Sequence, residues 1–275
     1  MKLKLGISTC PNDTFAFHAI LNRKIDLQGL DFEIRLLDVQ QLNEQLEAGA
    51  LDYSKASFHA ALRLSDRFGA LRAGAAMGFG VGPILLSAGS KTLHANSRVL
   101  CPGAQTTADL LFRCLHPGGG IVSQALFSDI MPSIREGRAD FGVVIHEGRF
   151  TYQEEGLTLV EDLGESWEKL TGGVVPLGGI LGSLSLDAEV HARFASVLQH
   201  SIQYSYEHRD EAGVTMRKYA QELDDEVLWQ HVELYVNPLT HDLGETGITA
   251  LRKMQALAES SGVLPSGLPE LRVIG

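Results

Sequence analysis

Polar and apolar residues alternate over 2–7 and again over 31–37, and a period of two predicts strands with one covered face. Between them Phe15, Phe17, Ala19, Ile20 and Leu21 recur at broadly helical spacing. That pattern predicts a helix over about 13–22, with Asn12, Asp13 and Thr14 offering acceptors to its first amides. A second helix is expected after Asp38, where Asp38 and Gln41 match a capping box and Leu42 and Leu46 share a face; Gly49 marks its end. A short third helix follows near 58–64.

Two segments mix glycine and proline with buried-strand composition, 78–86 and 172–181. They bracket about ninety residues and read as two crossings between lobes. Within the bracket the pattern predicts a strand over 97–101, helices over 106–115 and 130–136, and a strand over 139–145. Beyond 188 it turns helical, with Phe194, Val197, Leu198, Ile202 and Tyr206 at three- and four-residue spacings, and further helices over 227–235 and 247–258. The expected organisation is an α/β chain with a large discontinuous lobe (1–87 and 178–275), a small inserted α/β lobe (88–177), and a helical C-terminal region wrapped around the first lobe.

At 275 residues the chain is long enough to bury a sizeable core. Its 23 basic against 34 acidic residues give a formal charge of −11, which argues against nucleic acid as a partner. Three cysteines without a C-x-x-C pair suit neither a disulfide framework nor zinc, so a reducing, cytoplasmic compartment is expected. Pro11, Asn12 and Asp13 interrupt the N-terminus before a secretion signal accumulates. The uncharged stretch 73–90 carries five glycines and Pro83, too weakly apolar for a membrane span. The ten histidines form neither H-x-x-x-H nor H-E-x-x-H, and there is no Gly-Lys-Ser/Thr loop or Gly-x-Ser-x-Gly elbow. No metal and no cofactor are expected.

Four segments carry candidate chemistry. Ser8 to Phe15 stands where a parallel strand ends and a helix begins, the usual mouth of an α/β ligand site, although Asn12, Asp13 and Thr14 would equally serve as caps. Gly103-Ala104-Gln105-Thr106-Thr107-Ala108 repeats that placement, with hydroxyls and amides suited to a carboxylate or phosphate, or with a threonine as a plain N-cap. Phe141 to Phe150 is an apolar strand ending in His146, Glu147 and Arg149; strand alternation puts His146 at a cleft edge, as a proton acceptor or a structural hydrogen-bonder. Ser54-Lys55-Ala56-Ser57 places a lysine at an element boundary, where it would meet a ligand carboxylate or simply water. The glycines of 78–82 lack a Rossmann context.

In this order the segments resemble the 1,4-dihydroxy-6-naphthoate synthases of the futalosine route to menaquinone. The resemblance rests on Ser8 to Phe15, Lys55 to Ser57, Gly80-Val81-Gly82-Pro83, Thr106-Thr107, Ile145 to Tyr152 and Tyr235-Val236-Asn237, and spans most of the chain. It departs at Thr9, where a relative has proline, and at Gly148, where a relative has serine. The resemblance implies a type II periplasmic-binding-protein-like fold and a cofactor-free lyase in which the histidine of the Ile-His-Glu motif, here His146, takes a proton. Substrate contacts are implied at Lys55, Ala56, Ser57, Thr106 and Thr107, and the turn bearing Asn12 and Thr14 would line the same cleft. The implied partner is a small-molecule carboxylate substrate. Two other readings stay open: chorismate dehydratase of the same pathway, and a non-catalytic small-carboxylate binding protein. The sequence is compatible with a homodimer.

Overall fold

The chain threads one sheet, leaves it for a second, and returns. The computed structural model describes residues 2–89, 91–146, 148–220 and 224–275. The first passage comprises β1 (Lys2–Ser8), α1 (Pro11–Ala16), α2 (His18–Leu21), β2 (Asp31–Leu37), α3 (Val39–Glu47), β3 (Tyr53–Ser57), α4 (Phe58–Arg63), β4 (Phe68–Leu71) and β5 (Ala76–Gly78). The excursion holds β6 (Ile84–Ser87), β7 (Arg98–Cys101), α5 (Thr107–Leu115), β8 (Ile121–Gln124), α6 (Phe127–Arg135), β9 (Phe141–Val144), α7 (Gly148–Thr151), β10 (Thr158–Asp162) and α8 (Leu163–Thr171). The return is β11 (Val175–Ser183), then α9 (Ala188–Glu207), α10 (Arg209–Tyr219), α11 (Asp225–Tyr235), α12 (Pro238–His241), α13 (Gly244–Ser260) and β12 (Val273–Ile274).

Among the described residues the first sheet runs β12-β4-β11-β3-β1-β2 with β5 beside β11, and the second β10-β6-β9-β7-β8. β1 is parallel to β2 and β3, and β7 to β8 and β9. Both sheets therefore present carboxyl ends of parallel strands, the position at which α/β proteins bind ligands. Alternation divides the second sheet's side chains between two clusters: Leu85, Phe141 and Val143 pack on one face with Phe112, while Ile84, Leu86 and Val144 pack on the other with Ile130 and Ile134. α9 covers the first sheet, burying Val190, Phe194, Val197, Leu198 and Ile202 against Leu3, Leu5 and Ile7. Among the described residues no helix is long and apolar enough to cross a membrane.

The structure revises three local expectations. The helix expected over 13–22 is two short ones broken at Phe17 (φ −95°, ψ 3°). Its cap is Cys10, on extended backbone and without a side-chain bond; Asn12, Asp13 and Thr14 lie inside α1 because Pro11, pre-set for the first helical position, starts the helix earlier. The second sheet begins at Ile84, inside the expected 1–87 segment, and the first sheet resumes at Val175, before residue 178. The glycine run 78–82 is itself the crossing, and the apolar strand after it already pairs with β9 and β10.

The crossing is held by direct backbone contact. A Cβ built on Gly82 (φ +142°) would lie 2.8 Å from Cα of Gly164, and one on Gly164 would lie 2.1 Å from the carbonyl oxygen of Val81. Arg149 fastens the same segment, donating to the carbonyls of Gly82 (2.9 Å) and Gly80 (3.2 Å) while pairing with Asp162 at 2.5 Å. Gly164→Ala is therefore expected to lower stability by about 3 kcal/mol, the upper end of overpacking costs, since a backbone carbonyl cannot rotate aside. Gly80→Ala, where nothing lies within 4 Å, meets only the left-handed backbone penalty of about 1 kcal/mol. Urea denaturation of both variants checks the pair, and equal losses would refute the contact argument.

Candidate active site

A cleft opens between the two sheets. It is walled by the β1–α1 turn, the end of β3, the crossing at Gly82 and Pro83, the start of α5, the residues after β9, and one face of α11. Most of the residues expected at the site meet there, although they come from four separate stretches of chain.

Asp13 organises the first wall. Lys55 Nζ lies 2.6 Å from its Oδ1, Ser8 Oγ donates to its Oδ2 at 2.5 Å, and Asn12 Nδ2 donates to Oδ1 at 3.2 Å. Lys55 and Asp13 are both nearly inaccessible. The lysine is thus not solvated, as one sequence reading had it; its charge is matched inside the protein and ties β3 to the β1–α1 turn. Ser57 is held by Asn43, whose Oδ1 accepts from the Ser57 amide (3.1 Å) and whose Nδ2 donates to the Ser57 hydroxyl (3.3 Å). With its oxygen so engaged, that hydroxyl retains a proton to donate. Ala56 lines the same wall.

Thr14 departs from expectation. It is fully buried and absent from the cavity lining, and its hydroxyl donates to the carbonyls of Cys10 (3.1 Å) and Pro11 (3.3 Å). Starting the helix at Pro11 rotated it inward.

On the opposite wall Thr106 caps α5, its Oγ1 accepting from Asp109 N at 3.2 Å and donating to Gly103 O at 2.7 Å. Thr107 Oγ1 donates to the Leu177 carbonyl at 2.5 Å, joining α5 to β11. Both hydroxyl protons therefore go to backbone carbonyls rather than toward a ligand. What remains are the amides of Thr107 and Ala108, which have no acceptor among the described residues and belong to residues lining the cavity. Free amides at a helix start suit an anion.

His146 completes the site. It lies two residues beyond β9 with φ +58°, the left-handed region, so the chain turns at the histidine and simple strand alternation no longer sets its direction. Its half-buried ring has Nδ1 3.2 Å from Cys10 Sγ and an edge-on contact with Phe127 (centroids 4.9 Å, 67°). Glu147, the acid of the Ile-His-Glu motif, lies outside the described residues.

The sequence reading did not single out His231, Asn43, or Cys10 as a partner of His146. His231 lies on α11 with its ring nearly parallel to that of His146 (centroids 6.5 Å, 21°). It is 2% exposed, and burial first, then the neighbouring His146, pushes its pKa down to about 3. A histidine and an asparagine on the buried faces of helices were the signals available, but such positions are common in ordinary cores.

Unfolded histidine takes its proton near pH 6.5, whereas folded His231 resists until about pH 3. Between those values the unfolded chain binds the extra proton, so stability is complete above 6.5 and declines as pH falls, by up to ~1.4 kcal/mol per pH unit for such a group. Of the groups that meet the ring, His146 reinforces this when charged, while Tyr235 and Phe150 contribute no charge near neutral pH. Urea midpoints should fall from pH 6.5 to about 4.5, less steeply for His231→Leu. Equal slopes would mean that the ring is not held neutral.

The family model described as menaquinone biosynthesis matches residues 3–260. A Thermus thermophilus protein described as 1,4-dihydroxy-6-naphthoate synthase is 39% identical over 268 residues, covering 97% of this chain and 98% of the relative. A Streptomyces coelicolor protein of the same description is 36% identical over 274 residues, covering 98% and 96%. A solved Archaeoglobus fulgidus structure superposes with a TM-score of 0.91 at 30% identity, covering 96% of this chain and 98% of that one. The periplasmic aliphatic sulphonate binding protein of Escherichia coli shares the fold alone (TM-score 0.67, 11% identity, 100% and 94% covered).

Proposed function

The chain belongs to the menaquinone-biosynthesis family, and from that membership we propose that it is a 1,4-dihydroxy-6-naphthoate synthase with His146 as general base. The reaction is a cofactor-independent carbon–carbon lyase step: cyclic dehypoxanthine futalosine loses its sugar-derived part, and the remaining rings become the aromatic naphthoate. The observation that carries this reading is the placement of His146, which borders a cavity shared by both lobes and faces a wall bearing free helix-start amides.

Those amides, at Thr107 and Ala108, hold the substrate carboxylate through hydrogen bonds and the positive end of α5, and the Ser57 hydroxyl adds a third donor. Lys55 and Asn12 fix the opposite wall through Asp13, and Ala56 shapes it. With the acid anchored, an activated C–H beside a carbonyl is brought to His146, whose ring nitrogen takes the proton as the carbonyl π pair moves onto its oxygen. As that pair returns, the C–C bond to the sugar-derived part breaks, and the imidazolium gives its proton to the departing carbon. When Nδ1–H is directed at the Cys10 sulfur, 3.2 Å away, Nε2 keeps its lone pair and is the basic atom. Aromatisation of the product supplies the driving force.

The test is incubation of the purified protein with cyclic dehypoxanthine futalosine and, separately, with chorismate, followed by mass analysis. The naphthoate mass from the first alone supports the reading. A dehydrated product from chorismate would make the protein a chorismate dehydratase, and tight binding of either compound without turnover would make it a carboxylate-binding protein.

A further inference from the structure

His231 has no part in the reaction as set out above, yet it is the group in the cleft whose burial most needs a reason. Folding removes water from both of its nitrogens, and neither has a hydrogen-bond partner among the described residues. Its neighbours His146, Phe150 and Tyr235 meet it ring to ring. Buried imidazoles ordinarily bond at least one nitrogen, because a desolvated polar atom left unpaired weakens the fold.

Its position supplies a direction. A second, smaller pocket adjoins the first, and His231, His146, Cys10, Ser8 and Val39 border both. The second is otherwise lined by residues such as Asp38, Phe127 and Leu228, and includes none of Ser57, Thr106 or Thr107. A molecule with its carboxylate on the amides of α5 and its reacting carbon at His146 therefore extends its other half past His231. Asp38 on that side disfavours a second anion and suits hydroxyl donors. A neutral imidazole offers one N–H and one lone pair, the complement of an alcohol or of two neighbouring hydroxyls.

We propose that His231 contacts the substrate directly, recognising the hydroxyls of its sugar-derived half and holding that leaving portion in the second cavity while His146 acts on the carbon between. The inference rests on the reading of the protein as a 1,4-dihydroxy-6-naphthoate synthase. It orients the substrate along the cleft and makes the second cavity the specificity pocket for the departing fragment. Its depressed pKa keeps the ring neutral in this role throughout the range near neutrality.

Steady-state turnover of cyclic dehypoxanthine futalosine by His231→Leu tests it, with 1,4-dihydroxy-6-naphthoate as a competitive inhibitor that lacks the sugar-derived half. The expected result is a loss of about tenfold to a hundredfold in kcat/KM, from a substrate hydroxyl left buried and unpaired. Product inhibition should stay within about twofold of wild type, and the melting temperature should hold or rise, since an apolar side chain replaces unpaired polar atoms. His231→Asn, which restores a donor and an acceptor, should recover part of the loss. If leucine does not pack, His231→Phe makes the same comparison. Turnover by His231→Leu within twofold of wild type overturns the proposal alone, as does product affinity weakened in proportion to kcat/KM. A wild-type protein inert toward this substrate overturns the functional reading and this proposal together.

Discussion

His146→Asn is expected to lower kcat by about a thousandfold, the middle of the range for loss of a positioned general base, while substrate affinity changes only a few-fold. The choice of asparagine matters. At φ +58° a β-branched or bulky replacement strains the backbone, and even alanine confounds lost chemistry with a lost conformation. Asparagine tolerates the left-handed region and carries no base. His146→Gly is the companion variant: glycine adopts the same backbone freely and leaves a ring-sized space beside Cys10 and Phe127. Added imidazole should restore part of its turnover. Rates are measured by product formation and affinity by calorimetry. Retention of more than a tenth of wild-type kcat by the asparagine variant, with no rescue of the glycine variant, would remove His146 from the mechanism.

Asp13→Ala should cost about 3–5 kcal/mol of folding stability, because it strands the buried Lys55 ammonium rather than merely deleting a contact. Ser8 and Asn12 lose an acceptor in the same change, and the turn that carries Cys10 toward His146 loosens. The double variant Asp13→Leu with Lys55→Met removes both charges from the same interior. It should recover most of the stability, since a buried pair replaced by apolar side chains is often neutral. Activity should not recover with it, because the turn would still lack the bonds that fix it. Urea denaturation followed by circular dichroism separates these cases. A single variant losing under about 1 kcal/mol would show that the lysine finds water or another partner.

Much of the scaffold was legible because its signals are local. The strand Asp31–Leu37 has the predicted bounds, and the capping box of Asp38 and Gln41 opens α3. Thr106 caps α5 as its type and place suggested. Pro11 is legible too: a proline at the first helical position is a stronger start signal than the polar cluster after it, and it sets Thr14 in the body of α1 rather than at its cap. Sheet membership near residue 87 is of another kind. Apolar runs announce strands, but whether Ile84–Ser87 joins the first sheet or the second depends on which strands lie beside it.

The sequence by itself determined the periodic strands and helices, the two glycine-rich crossings and the histidine after an apolar strand, since each is written within ten or so neighbouring residues. Only the tertiary structure decided which groups meet. Lys55 reaches Asp13 across 42 residues and Cys10 reaches His146 across 136. His231, on a helix near the other end of the chain, stacks beside His146. Such encounters follow from the order of strands in two sheets and from where the chain crosses between them. Those are set by the burial of whole faces, and no short window of residues encodes them.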